Sequence, residues 1–357
     1  MYINDEQYEK DIKAILACNL PWEKLRNKSV HITGASGLIG TVLVDSLMWL
    51  NKQQDYEIKI VAYGRNKNKA KERFADYWED RCFIFVEQDL SQPFDNEKLP
   101  NADYIIHGAS NTHPLLYTKE PVLSLTTNFI GTKNLLDFAV KVNAERFVFL
   151  SSVEIYGKAL SSEDVFDEKY CGYIDCNTLR AGYPEGKRAG EALCQAYKEQ
   201  FGVDVVIPRL SRIYGPTMRL DDSKAMSQFI MNSVNKKDII LKSEGKQRFS
   251  YTYVSDAVSG IFYTMLLGNN GEAYNIAGDD DIELREIAAI LAKIAGTSLK
   301  FDLPTENEKK GFSTADVALL ETGKLKKLGW RNQHSMDSGL KRTVDMLYNI
   351  RIDFYKD

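Results

Sequence analysis

Cysteine is sparse in this chain. Cys18, Cys82, Cys171, Cys176 and Cys194 are an odd number, scattered over 357 residues, with no C-x-x-C pair. That argues against a disulfide framework and for reduced thiols. Histidine is sparser still. His31, His107, His113 and His334 stand far apart and show no H-E-x-x-H spacing, so no metal is expected. Positive charge is not in excess: 46 Lys and Arg face 50 Asp and Glu, a net charge of -4. The chain as a whole therefore offers no electrostatic footprint for nucleic acid. No apolar run reaches the roughly 20 residues needed to cross a bilayer, so no membrane partner is expected. The opening segment MYINDEQYEK is charged and lacks the apolar core of a secretion signal, which points to a cytoplasmic protein.

What is present is an ordinary globular balance, 44% hydrophobic and 27% charged. It suffices for one large α/β domain or two smaller ones. Residues 5–26 read as a helix and linker. SVHITG then reads as a buried strand, and LIGTVLVDSLMWL as a helix packed on a sheet. EIKIVAYG, CFIFVEQDL, DYIIHGAS, RFVFLSS and VDVVIPRL supply five more strands. NKNKAKERFADYWED is expected as one solvated helix, and further helices are expected over 121–142 and from Tyr183 onward. Strands alternating with helices predict a parallel sheet covered on both faces, a doubly wound α/β fold of the Rossmann type. After about Ser211 the rhythm shortens. The expected division is a dinucleotide-binding domain over 1–210 and a smaller, mixed α/β substrate-binding region over 211–357, with some segments returning to the first domain. A last helix is expected over 336–350.

VHITGASGLIG places Gly34, Gly37 and Gly40 where the first strand turns into the first helix. Gly34 permits a tight turn, Gly37 lets backbone approach a pyrophosphate, and Gly40 lets the helix close on the sheet. The helix start offers N–H groups and a positive dipole end to phosphate. At the end of the second strand, an acidic residue would bond the ribose of NAD. The chain has YGRNKNK there, and Arg65 leans the reading toward a 2′-phosphate and NADP. Its other reading is a residue stacked on adenine or simply solvated. Asp89, after the third strand, reads either as an adenine contact or as a turn residue.

AGYPEGKRAGE sets Tyr183 and Lys187 four apart, and Pro184 suits a first helical turn. Residues i and i+4 share a face. An ammonium beside a phenol is expected to lower its pKa, making a base for a sugar hydroxyl. LSSVEIYG, ending the fifth strand, brings Ser152 to the same place, with Ser151 read as a cap. Glu154 reads as an acid or base toward substrate, or as a structural partner.

Together TGASGLIG, HGAS, TTNFIGTKNLL, SSVEIYG, YPEGK and RIYGP resemble the extended short-chain dehydrogenase/reductases, from about residue 28 to 345. Within that family the motifs are most similar to UDP-glucuronate decarboxylases. The resemblance implies an enzyme of nucleotide-sugar metabolism in which Tyr183, Lys187 and Ser152, with Glu154 nearby, oxidise the sugar C4 hydroxyl and pass hydride to NAD(P). A C6 carboxylate beside a 4-ketone is a β-keto acid and loses carbon dioxide. Cofactor contacts are implied for Gly34, Ser36, Gly37, Leu38, Ile39, Gly40, Arg65, Asp89, Leu90, Ala109, Ser110, Asn128 and Lys187. Substrate contacts are implied for His113, Arg209, Arg212, Arg248 and Tyr214. Helices 121–142 and 183–200 would pair across a homodimer.

Three departures stand out. Val153 replaces the acid that dehydratases use for water loss. Arg212 stands where the decarboxylases carry asparagine. Phe249 stands where their arginine is expected, with Arg248 one residue early. Arg209, Arg212 and Arg248 read either as anion ligands or as ion pairs at a domain boundary. The alternatives are a 4-epimerase, a 4,6-dehydratase, a keto-sugar reductase or, outside enzymology, a dinucleotide-sensing regulator.

Overall fold

The computed structural model describes residues 5–92, 100–110, 121–161, 164–303 and 316–354. Strands β1 (Ser29–Thr33), β2 (Lys59–Gly64), β3 (Phe83–Glu87), β4 (Tyr104–His107), β5 (Arg146–Phe149), β6 (Ser151–Ser152), β7 (Val165–Phe166) and β8 (Val205–Leu210) come first. They are followed by β9 (Arg212–Tyr214), β10 (Ile239–Leu241), β11 (Arg248–Phe249), β12 (Tyr251–Tyr253), β13 (Ala273–Ile276), β14 (Leu299–Phe301) and β15 (Val317–Leu320). The central sheet runs β13-β8-β5-β4-β1-β2-β3, with β6 also on β8. Its pairs are parallel, Val30 lying beside Ile60 on one side and Tyr104 on the other. β1 is buried along its whole length because helices cover both faces. The order reverses beside β1, and ligands of such sheets lie at the carboxyl ends of the strands there.

Helix Leu38–Gln54 follows β1, and helices Pro121–Val142 and Gly182–Phe201 flank β5 in sequence. An N-terminal helix, Glu6–Leu16, is capped by Asp5, whose carboxylate accepts from the backbone of Gln7 and Tyr8. Tyr8, Ile12 and Ile15 share its buried face, and the Tyr8 hydroxyl donates to Asp45 at 2.5 Å.

One expectation is corrected here. The stretch from Asn66 to Asp80 is not one solvated helix: Lys67–Arg73 ends, and a 3-10 turn follows at Ala75–Tyr77. Phe74, between them, is fully buried with its ring 5.1 Å from that of Phe83. Burying that ring against β3 costs the helix its continuity. Beyond residue 211, the short elements include a full return to the central sheet. Helix Val254–Leu267 is buried from residue 254 to 266, and β13 forms the sheet edge beside β8. The small pairs β9–β12 and β10–β14, with β11–β15–β7, build the second region.

Candidate active site

β1 ends at Thr33, and Gly34 adopts φ +69°. A Cβ there would lie 2.9 Å from the backbone nitrogen of Ala109, so only glycine fits both the conformation and the space. Gly37 is the N-cap of helix Leu38–Gln54 and, having no side chain, leaves the helix start uncapped and open. A Cβ at Gly40 would lie 2.3 Å from the Gly34 carbonyl, which is how closely the helix seats on the turn. This is the form that receives a phosphate group. Ser36, Leu38 and Ile39 are half-buried around it. The Leu38 carbonyl accepts from Thr217 at 2.7 Å, tying the turn to the second region.

The neighbouring strand ends carry a polar relay. Thr33 Oγ1 accepts from the Ala109 N–H at 3.1 Å and lies 2.8 Å from His107 Nδ1, whose Nε2 is 3.1 Å from Thr132. Burial, reinforced by the charge of Lys187, pushes His107 well below its usual pKa and keeps it neutral. Ser110 donates to Asn128 at 2.8 Å. Leu90 is buried and its carbonyl accepts from Asn134 at 2.9 Å. Asp89 closes a turn, accepting from the Ser91 N–H at 2.9 Å and its hydroxyl at 2.8 Å. Those bonds, with the charge of Arg65, hold its carboxyl below the usual range. Of its two readings the structure displays the turn. Arg65 is exposed at the end of β2.

Helix Gly182–Phe201 presents Tyr183, Lys187 and Glu191 on one face at intervals of four. Tyr183 is 8% exposed and Lys187 2%. The Lys187 ammonium donates to the Leu150 carbonyl at 2.8 Å and lies 4.8 Å from the centre of the Phe149 ring. Burial lowers its pKa to about 8, while the charge of Glu191 opposes the fall. Ser152 is hydrogen-bonded to the Tyr183 hydroxyl. The expected lowering of the Tyr183 pKa is overturned. Burial and then the carboxylate of Glu154 push it well above the usual range, and the bond from Ser152 opposes them only in part. The ammonium is aimed at the Leu150 carbonyl. Glu154 is half-buried in the 3-10 turn Val153–Tyr156, capped by Ser152, while Val153 is buried.

The three arginines part ways. Arg209 meets Glu191 through two bonds, 3.0 and 2.7 Å, and gives its Nη1 donors to the Tyr156 hydroxyl at 3.0 Å and the Glu168 carbonyl at 2.7 Å. Of its two readings the structure displays the ion pair. Arg248 is paired with Asp281, Nε to Oδ1 at 2.9 Å. Arg212 pairs with no carboxylate among the described residues, and its guanidinium lies 3.7 Å from the centre of the Phe249 ring. Tyr214 could line the cleft or pack the core, and the structure displays the packing: it is 3% exposed, its ring 5.8 Å from that of Tyr253 and tilted by 57°, with its hydroxyl hard against Gly339. His113 lies outside the described residues. Among those residues no group of three or more His, Cys, Asp or Glu is gathered to hold a metal, and no helix is long and apolar enough to cross a membrane.

The profile of the NAD dependent epimerase/dehydratase family matches residues 30–277. The chain belongs to that family. UDP-glucuronic acid decarboxylase 3 of Arabidopsis thaliana is 30% identical over 277 residues, covering 78% of this chain and 77% of its own length. Among solved structures, the dTDP-glucose 4,6-dehydratase DesIV of Streptomyces venezuelae, with NAD and TYD bound, superposes with a TM-score of 0.76 at 25% identity. It covers 90% of this chain and 98% of that one. UDP-glucuronic acid 4-epimerase of Bacillus cereus, in complex with UDP-glucuronic acid and NAD, reaches 0.78 at 21% identity over 90% and 99%.

One residue of this family member escaped the sequence reading. Glu191 accepts from the Ser151 hydroxyl at 2.5 Å, grips Arg209 and helps keep Lys187 protonated. Its signal was available, since it stands four residues after Lys187 in YPEGKRAGE. Ser151 is thereby a buried partner of Glu191, leaving Ser152 to the Tyr183 hydroxyl.

Proposed function

We propose that this family member is a nucleotide-sugar enzyme acting through transient oxidation at the sugar C4, with decarboxylation of UDP-glucuronate as its nearest reaction. The observation that carries the reading is Tyr183 and Lys187, both buried on one face of their helix, with Ser152 bonded to the Tyr183 hydroxyl at the carboxyl edge of a sheet whose first turn leads into an open, glycine-begun helix. The relatives named UDP-glucuronic acid decarboxylase support the substrate class. Bound NAD(P) would supply hydride acceptance and return. The chain's own residues do the rest. Gly34, Gly37 and Gly40 seat the diphosphate. Tyr183 moves a proton at the C4 oxygen while Ser152 orients that oxygen, and Lys187 holds positive charge beneath them. Glu154, whose field acts on Tyr183, is the adjoining proton carrier. Val153, apolar and buried, has no proton to give, which weighs against dehydration.

For the dinucleotide, NAD is supported by the neighbours solved with it. The lean to NADP rests on Arg65, which a 2′-phosphate would share with Asp89. Competition between NAD and NADP, repeated with Arg65→Ala, separates the two. A homodimer is supported by Val122, Leu125 and Phe129, exposed at i, i+3 and i+7 on helix Pro121–Val142.

The deciding experiment incubates the purified protein with UDP-, dTDP-, GDP- and CDP-sugars and follows product masses. Release of carbon dioxide from UDP-glucuronate supports the reading. Loss of water selects dehydration, unchanged mass with altered stereochemistry selects epimerisation, and stoichiometric consumption of NADPH selects reduction. No turnover with any of them overturns it.

A further inference from the structure

Helix Gly182–Phe201 grips the segment from Leu150 to Ile155, which carries Ser152 and Glu154, at both ends. The Lys187 ammonium donates to the Leu150 carbonyl at 2.8 Å, and the next residue, Ser151, donates its hydroxyl to Glu191 at 2.5 Å. At the far end, Arg188 donates to the carbonyls of Ile155 at 2.7 Å and Gly172 at 2.8 Å. Ser152 lies between these anchors, bonded to the Tyr183 hydroxyl.

Glu191 has a second hold. Ser151 of β6 lies in register with Arg209 of β8. One carboxylate oxygen of Glu191 accepts from both, from Ser151 at 2.5 Å and from Arg209 Nε at 3.0 Å, while the other accepts from Arg209 Nη2 at 2.7 Å. β6, β8 and the helix thus meet at a single side chain. Little water reaches the junction: Ser151 is 3% exposed, and the side chains of Glu191 and Arg209 13% and 12%. A hydroxyl and a guanidinium so enclosed both need that acceptor. The charge of Glu191 also acts on Lys187, against the fall that burial causes. The other titratable groups around these two are Cys194 on the same helix, His107 on β4 and Tyr156 beside Arg209. Burial keeps all three neutral, raising Cys194 and Tyr156 and lowering His107. A cavity of about 420 Å³ that Glu191 and Arg209 help to line adds Asp167, Glu168, Lys169, Glu272 and Lys324, of mixed sign.

We propose that Glu191 is a positioning residue: fixed by Arg209, it holds Ser151 so that the neighbouring Ser152 stays on the Tyr183 hydroxyl, and its charge sustains the Lys187 ammonium. This rests on the nucleotide-sugar reading above. Glu191 acts through these residues and not on the sugar. A reacting group displaced by about 1 Å can lose about 10²-fold in rate, and an ammonium that loses its proton no longer supplies positive charge.

The test compares the wild type with Glu191→Gln, Glu191→Asp and Arg209→Ala in two measurements. One is titration of Lys187 by the carbon NMR signal of its Cε, assigned through its loss in Lys187→Met. The other is the pH–rate profile with the nucleotide sugar that the wild type turns over. Glu191→Gln keeps an oxygen for Ser151 and loses the charge. Its Lys187 should titrate about one pH unit lower, and the alkaline limb should move down with it, because the ammonium is lost sooner as pH rises. Glu191→Asp keeps the charge and loses the reach. Its alkaline limb should stay in place, while kcat falls about 10²-fold with KM little changed. Arg209→Ala leaves the charge on Glu191, so Lys187 should titrate no lower than in the wild type. A merely structural pair gives another pattern: activity follows the melting midpoint, and Lys187 titrates alike in every folded variant. That pattern, or an unmoved Lys187 in Glu191→Gln, overturns the proposal. Should the glutamine variant fail to fold, wild-type kcat in Glu191→Asp overturns it instead. A wild type that turns over no nucleotide sugar removes the nucleotide-sugar reading, and the titration of Lys187, which needs no substrate, still decides whether Glu191 sustains the ammonium.

Discussion

Helix Gly182–Phe201 and the arginine-bearing segment after β8 bring charge to the same edge of the sheet by opposite rules. On the helix, Tyr183, Lys187 and Glu191 come together because they are four apart, so one local geometry assembles the phenol, the ammonium and the carboxylate. Among the arginines nothing local decides. Arg209 is neutralised by a residue 18 positions away and Arg248 by one 33 away, while Arg212, three residues from Arg209, meets an aromatic ring. A short-range spacing states its partners in advance. Long-range charge acquires them from topology, and neighbours in sequence end with different roles.

The strongest test of the helical side is Tyr183→Phe. Removing the hydroxyl should reduce turnover of the identified substrate by about 10²- to 10⁴-fold, with an unchanged circular dichroism spectrum. Near-wild-type turnover would remove the phenol from the chemistry. On the arginine side, Arg209→Ala takes the guanidinium from Glu191, whose side chain is only 13% exposed, and should cost about 3 kcal/mol in denaturant unfolding. A smaller effect is expected at Glu154. Its negative charge raises the pKa of Tyr183, so Glu154→Gln should lower that pKa and move the acidic limb of the pH–rate profile to lower pH. A limb that stays in place would separate Glu154 from the phenol. The smallest effect belongs to Arg248→Ala, whose pair with Asp281 is partly solvated; it should cost less than about 1 kcal/mol. Equal losses in the Arg209 and Arg248 variants would erase the distinction between a buried pair and a surface one.

The glycine turn was legible because its spacing expresses a local backbone demand, and the structure places Gly34 at positive φ and Gly40 against the Gly34 carbonyl. Helix Pro121–Val142 was likewise read to its ends. The break at Phe74 was not, since its cause is a ring on another strand. Nor was β13, a four-residue strand whose meaning comes from lying beside β8. Which of the two roles open to Tyr214 it takes was likewise settled from afar: it packs the core, where Gly339, 125 positions later, closes over its hydroxyl.

Sequence alone determined the alternation of strands and helices, the tight glycine form of the first turn and the shared face of Tyr183 and Lys187. Each depends on hydrogen bonds and periodicities that span a few residues. Tertiary structure alone decided which arginine stays free of carboxylate, which serine reaches the phenol and in which direction the phenol's pKa moves. Those outcomes depend on burial and on fields from residues distant in the chain. Desolvation can outweigh a neighbouring charge that spacing had brought near.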